Sequence, residues 1–89
     1  MTANEIPPHL ITLASEARDL IAQGDGINSV ISYVHERSGG LIGTLWAIGQ
    51  ALGIRLPVTR DLVELSPALN SGYDPPESWR DLVTSLGLH

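Results

Sequence analysis

Apolar residues are densest between Gly39 and Ile54, in the stretch GGLIGTLWAIGQALGI, where the plainly polar residues are Thr44 and Gln50. On a helix, this stretch has a stripe of large side chains beside a stripe of small ones. The large stripe is Leu41, Leu45, Ile48 and Leu52, and the small stripe is Gly43, Ala47 and Ala51. A helix that is apolar on nearly every side must be covered by other helices, by a partner chain or by lipid. We therefore expect a helix over 40–52 to be the buried centre of the fold.

Two further helices are predicted before this stretch. The first begins near Pro7 and Pro8 and ends before Gly24, and its apolar residues recur at spacings of three and four. Asp25 is placed to cap the second helix. The second segment, 27–35, is rich in Val, Ile, Ser and Tyr, which also suit a strand. Helix is favoured because a single strand would have no partner in this chain.

Two more helices are predicted after Gly53. One begins at Pro57 and ends before Pro67. The last follows Asp74 as N-cap, with Glu77 at capping-box spacing. Its expected buried face is Trp79, Leu82, Val83 and Leu86. The sequence therefore predicts a single all-α domain over 1–89, a compact bundle of about five short helices around helix 40–52.

Charge and composition exclude several classes of protein. The formal net charge of −5 disfavours a general binder of phosphate backbones. The chain has no cysteine, so it has neither disulfides nor thiolate metal ligands.

The N-terminus lacks the pattern of a signal peptide, and the apolar run is shorter than the ~20 residues of a membrane span. We expect a cytoplasmic protein with no role in a membrane.

Catalytic and cofactor-binding patterns are missing from the sequence. His35-Glu36 begins a zinc-helix motif, but Gly39 stands where the second histidine is required. Gly24 and Gly26 follow no predicted strand, as a dinucleotide fingerprint would require. The carboxylates are spread singly, and a bundle of this size offers little room for a catalytic cleft. We predict no enzyme activity, no cofactor, no metal and no small-molecule substrate.

Residues 47–63, AIGQALGIRLPVTRDLV, resemble the helix-turn-helix of bacterial repressors. The matching features are a small residue at Gly49, the turn glycine Gly53, and apolar residues at Ile48, Leu52, Ile54 and Leu62. The chain departs from the pattern at Thr59, where a β-branched aliphatic residue is expected. The resemblance implies that Arg55, Thr59 and Arg60 face DNA grooves and phosphates. The alternative interpretation is two core helices joined by a glycine turn.

A longer stretch, 27–64, resembles the small helical lid of AAA+ ATPases, including the transposition-type ATPases. The resemblance is carried by a helix, Ser38-Gly39-Gly40, the run LIGTL over 41–45, an apolar helix, and the run VTRDL over 58–62. In that family the lid packs over the nucleotide and against neighbouring subunits. This chain contains no Walker motif, so the resemblance implies a helical docking module without nucleotide hydrolysis.

The leading functional prediction is a protein that binds another protein or itself, as in a homodimer. It depends on the excess of apolar helix surface over what four short amphipathic helices can cover. The expected contact residues are Leu45, Trp46, Tyr73 and Trp79, because large aromatic side chains dominate interface energetics. The alternative for each tryptophan is a place in the core. The second functional prediction is a dimeric helix-turn-helix DNA-binding regulator.

Overall fold

The computed structural model describes residues 6–70 and 74–88, and every regular element in these ranges is a helix. The helices are α1 (Pro8–Ala22), α2 (Ile27–Ser38), α3 (Leu41–Leu52), α4 (Leu56–Glu64) and α5 (Glu77–Ser85). The predicted all-α bundle of five short helices is therefore confirmed. Residues 27–35, for which a strand was the alternative, belong to helix α2.

Helix α3 is the helix around which the others are arranged. It packs against α1, α2 and α4, and α5 packs against α4. Its residues Ala47 and Ile48 are completely buried among apolar side chains of the neighbouring helices. Gly43 permits a close approach of α1, because a β-carbon added there would lie 3.1 Å from the Leu10 side chain. The small stripe of α3 thus seats a neighbouring helix, as the sequence predicted.

The other described helices nevertheless cover α3 unevenly, so this central helix keeps some apolar surface exposed. Thr44, Ala47 and Ile48 are its buried residues, whereas Ile42 is 84% exposed. The stripe of large side chains is also buried unevenly, because Ile48 is completely buried whereas Leu41 is 39% exposed. The packed helices meet the side of α3 that contains Thr44, Ala47 and Ile48. The opposite side is covered only in part: Ile42 is open to solvent, whereas Leu45 and Trp46 are partly buried against the core and Thr59 of α4 lies close to Gly49.

Thr44 is a polar residue inside this packed side. Its hydroxyl donates a hydrogen bond to the Gly40 carbonyl oxygen at 2.8 Å and lies 2.9 Å from the Ser38 hydroxyl. These bonds satisfy the buried hydroxyl, which would otherwise be costly to remove from water. They also connect the end of α2 to the start of α3.

Two of the predicted helix caps are wrong. The N-caps of α2 and α5 are Gly26 and Pro76, and neither makes a side-chain cap. Asp74 lies outside α5 because the first helical residue is Glu77, one position after the second proline. Helix α4 begins at Leu56, one residue before Pro57, which is a permitted position for proline in the first turn.

Gly53 ends α3 in the left-handed conformation, with φ of 66°, and its N–H donates to the Gly49 carbonyl oxygen at 2.8 Å. We expect Gly53→Ala to lower the free energy of unfolding by about 1–2 kcal/mol, because an L-residue is strained at this φ. A β-carbon added at Gly53 would have no other atom within 4 Å, so the loss of stability would come from backbone strain alone. Gly40→Ala is the matched control, since Gly40 is equally open and has an extended backbone with φ of 169°. Chemical denaturation measures both, and equal losses in the two variants would contradict the assignment of strain to Gly53.

Candidate interaction surface

The side of α3 that is covered least is apolar. Ile42, Leu45, Trp46 and Gly49 follow one another at positions i, i+3, i+4 and i+7, the spacing of one helix face. Ile42 is almost fully exposed, and Leu45 and Trp46 are half-buried. Large apolar side chains on a solvent-facing helix side are unusual in a monomer when they are contiguous.

Neighbouring helices extend this apolar face on both sides. Ile11 of α1 is 55% exposed and Leu56 of α4 is 58% exposed. Trp46 lines a hollow of about 220 Å³ together with Ile11, and it lines a second hollow of about 130 Å³ together with Leu45 and Leu56. We call the area formed by Ile11, Ile42, Leu45, Trp46 and Leu56 the Trp46 surface. It is built from three helices, with Trp46 between two hollows.

Arg18 is a charged residue at the border of the Trp46 surface. It lines the larger hollow, and its Nη2 donates a hydrogen bond to the Gln50 carbonyl oxygen at 3.2 Å. Gln50 belongs to the last turn of α3, so this bond satisfies one of the carbonyl groups that a helix end leaves unpaired. The guanidinium group is thereby held beside the apolar surface while it stays exposed to solvent.

The predicted contact residues have different positions in the structure. Leu45 and Trp46 lie on the Trp46 surface. Trp79 does not, because it is 7% exposed and its indole Nε1–H donates to the Leu62 carbonyl oxygen at 2.8 Å. Trp79 therefore fills the core between α5 and α4, and its prediction as a partner contact is wrong. Tyr73 lies outside the described residues.

Ile11, Ile42 and Leu56 belong to the Trp46 surface but are not among the contact residues predicted from the sequence. Ile42 belongs to the predicted central helix, where apolar residues occupy nearly every side and therefore do not reveal which side is exposed. Leu56 precedes Pro57, the predicted start of α4, and so falls in the predicted turn. Their exposure depends on where the other helices pack against α3, and the periodicity of the sequence contains no information about that choice.

The turn between α3 and α4 has the geometry expected of a helix-turn-helix. Three residues, 53–55, join the helices, and the chain changes direction by 116°. This is within the range of roughly 90–120° found in such motifs, which often have a glycine in the turn. A β-carbon on Gly49 would lie 3.2 Å from the Thr59 hydroxyl oxygen, so the two helices approach closely at this point.

One of the three residues predicted to contact DNA, Thr59, is not placed as the resemblance implies. Thr59 is 1% exposed, and its hydroxyl donates to the Arg55 carbonyl oxygen at 3.0 Å. It is a core residue of the turn, so its prediction as a groove-facing residue is wrong. Arg60 is exposed and its Nε lies 3.0 Å from the Glu64 carboxylate. Arg55 is exposed at the start of α4.

Metal and membrane sites find no support in the described part of the chain. No three His, Cys, Asp or Glu side chains in residues 6–70 and 74–88 are grouped in a way that could hold a metal ion. No single described helix has the length and apolar composition of a membrane span. Helices α3 and α4 have them only when taken together, with the 116° bend between them.

Comparisons with protein-family models, with curated proteins and with solved structures give no match for this chain. The resemblances to an AAA+ lid and to a helix-turn-helix stay predictions.

Proposed function

We propose that this chain is a non-enzymatic interaction module that binds another protein, or a second copy of itself, through the Trp46 surface. The observation that carries the proposal is the exposure of Ile42, at 84%, at the first position of an apolar helix face. Ile11 and Leu56, each more than half exposed, lie on either side of Trp46. A contiguous apolar area of this kind is typical of a surface that is covered by a partner.

The energetics of the Trp46 surface support binding. Complete burial of an isoleucine or leucine side chain contributes about 1.5–3 kcal/mol relative to full exposure. Ile11, Ile42 and Leu56 are exposed only in part, so covering each of them contributes less than this full value. Together their burial still offsets a large part of the free-energy cost of association, which is roughly 4–15 kcal/mol. Trp46 adds a large aromatic side chain that is already partly buried against the core, so less conformational freedom is lost when it is covered.

A charge placed on this surface tests the proposal. We expect Ile42→Glu to abolish binding while leaving the free energy of unfolding within about 0.5 kcal/mol of the wild type, since position 42 is exposed. Thr84→Glu, at an exposed position on α5, adds the same charge away from the surface and should bind normally. Light scattering measures self-association, and affinity capture from host-cell extract measures binding of other proteins. A wild-type chain that stays monomeric and retains no protein, or retains the same proteins as Ile42→Glu, contradicts the proposal.

The second candidate function, DNA binding, is favoured by one observation. The α3–α4 turn combines a 116° change of direction with Gly53 in the left-handed conformation. The charge of α4 opposes it, because Asp61 and Glu64 are exposed beside Arg60 and would repel phosphate.

DNA binding makes a prediction that separates it from protein binding. If α4 enters the major groove, the chain shifts duplex DNA at low salt, and the affinity falls steeply as salt rises. Arg60→Ala would then weaken the shift, whereas Arg80→Ala on α5 would leave it unchanged. Under the leading proposal, no duplex is shifted even at low salt. An electrophoretic mobility assay with mixed genomic duplex decides between the two.

A further inference from the structure

The border of the Trp46 surface differs in charge from the chain as a whole. The chain has ten Asp and Glu residues against five Arg. The residues that line the two hollows nevertheless include Arg18 and no carboxylate. Arg55 is exposed in the turn between Ile54 and Leu56, and these two neighbours line the smaller hollow. Neither arginine forms an ion pair with the described residues. The apolar surface is thus bordered by positive charge on an acidic protein.

The shape of the surface matches a helix better than a flat partner. Trp46 stands between two hollows that are formed by α1 and α3 on one side and by α3 and α4 on the other. On a helix, side chains three and four positions apart lie next to one another on the same face. Two such side chains can therefore enter the hollows on opposite sides of Trp46, as anchors do when a helix docks in a groove.

From the charge and the shape together, we infer that the Trp46 surface binds an amphipathic helix of another protein, with apolar anchors one turn apart and carboxylates beside them. This inference rests on the proposed function and names the class of partner. A carboxylate of the partner pairs with Arg18, whose guanidinium group is already positioned by the Gln50 carbonyl oxygen. Preorganisation of this kind reduces the entropy lost when the pair forms.

Charge also favours an acidic helix over a second copy of the chain or a membrane as the partner that covers the Trp46 surface. In a two-fold symmetric dimer the same surface meets itself, so each Arg18 would face a surface whose hollows contain no carboxylate. An anionic membrane would be repelled by the net charge of −5. An acidic helix from a different protein places a carboxylate beside the Arg18 guanidinium group and covers the apolar residues at the same time.

The test uses the full chain and a displayed library of helical peptides in which one face is randomised. Peptides are selected on the wild-type chain and counter-selected on Ile42→Glu. We expect the selected peptides to have apolar residues at i and i+4 and to be enriched in Asp or Glu next to them. For one selected peptide, Arg18→Glu should weaken binding about fivefold, and exchanging the peptide's acidic residue for Arg should restore it. Arg80→Glu, the same charge change on α5, should alter binding less than about twofold, because distant exposed charges are screened.

The other possible results contradict the inference, and each of them points to a different alternative. Selected peptides without acidic enrichment, or binding that the charge exchange does not restore, remove the acidic helix and leave the proposed function intact. A dimer that Ile42→Glu dissociates assigns the surface to a second copy. Sedimentation with phosphatidylserine vesicles that depends on Ile42 assigns it to lipid. If no peptide is selected, the chain is monomeric and no protein is captured from extract, the inference and the proposed function fail together.

Discussion

Replacing Trp79 with Ala is expected to lower the free energy of unfolding by about 3–5 kcal/mol, the usual loss for a buried tryptophan. Trp79 is 7% exposed and connects α5 to α4 through its hydrogen bond with the Leu62 carbonyl oxygen. The substitution removes the ring from the core and leaves that carbonyl oxygen without its indole donor. In a domain whose total stability is on the order of 5–15 kcal/mol, this loss brings the variant close to unfolding. Urea denaturation followed by circular dichroism measures it.

Two controls separate the contributions of Trp79. Trp79→Phe keeps an aromatic ring and removes the indole N–H, so we expect a loss of about 1–3 kcal/mol from the unpaired carbonyl group and the smaller ring. Trp46→Ala removes the same side chain from a half-buried position and should cost clearly less than Trp79→Ala. If Trp46→Ala destabilised the chain as much as Trp79→Ala, the assignment of one tryptophan to the core and the other to the surface would be incorrect.

Ile48→Ala is expected to lower the free energy of unfolding by about 2–5 kcal/mol, because a cavity opens at a completely buried site. Ile42→Ala is the matched control: it is the same substitution in the same helix, at a residue that is 84% exposed. Its effect should be within about 0.5 kcal/mol of zero. The contrast measures how one-sided the cover on α3 is. Similar losses at the two positions would mean that α3 is buried all round in solution.

The helices could be predicted because their signals are local. The apolar spacing within each helix and the glycines at positions 24, 39 and 53 define where helices run and end, and all three glycines have positive φ in the structure. The first residues of the helices were predicted less well. Asp25 and Asp74 are good capping residues by type, but the chain enters the helices at Gly26 and Pro76 instead. Several local arrangements satisfy the start of a helix, and packing selects one of them.

The candidate surface could be predicted only in part. Leu45 and Trp46 were selected by residue type, whereas the exposure of Ile42 depends on which side of α3 its neighbours cover. Thr59 is the opposite case, a polar residue whose burial could not be predicted from the sequence. It is polar and stands on a short charged helix, yet it is buried because Gly49 lets α4 approach α3 closely. A residue-by-residue pattern describes the faces of a helix, but the choice of the face that is covered is made by the tertiary structure.

The most direct test of a binding role for the Trp46 surface is photo-crosslinking in the cells that produce the protein. A photoreactive amino acid is placed at position 42 in one variant and at position 36 in another. Ile42 is 84% exposed and the Glu36 side chain is 74% exposed, so both probes reach solvent. Binding through the Trp46 surface predicts a defined covalent adduct from position 42 and none from position 36. The absence of an adduct from position 42, or the same adducts from both positions, would contradict it.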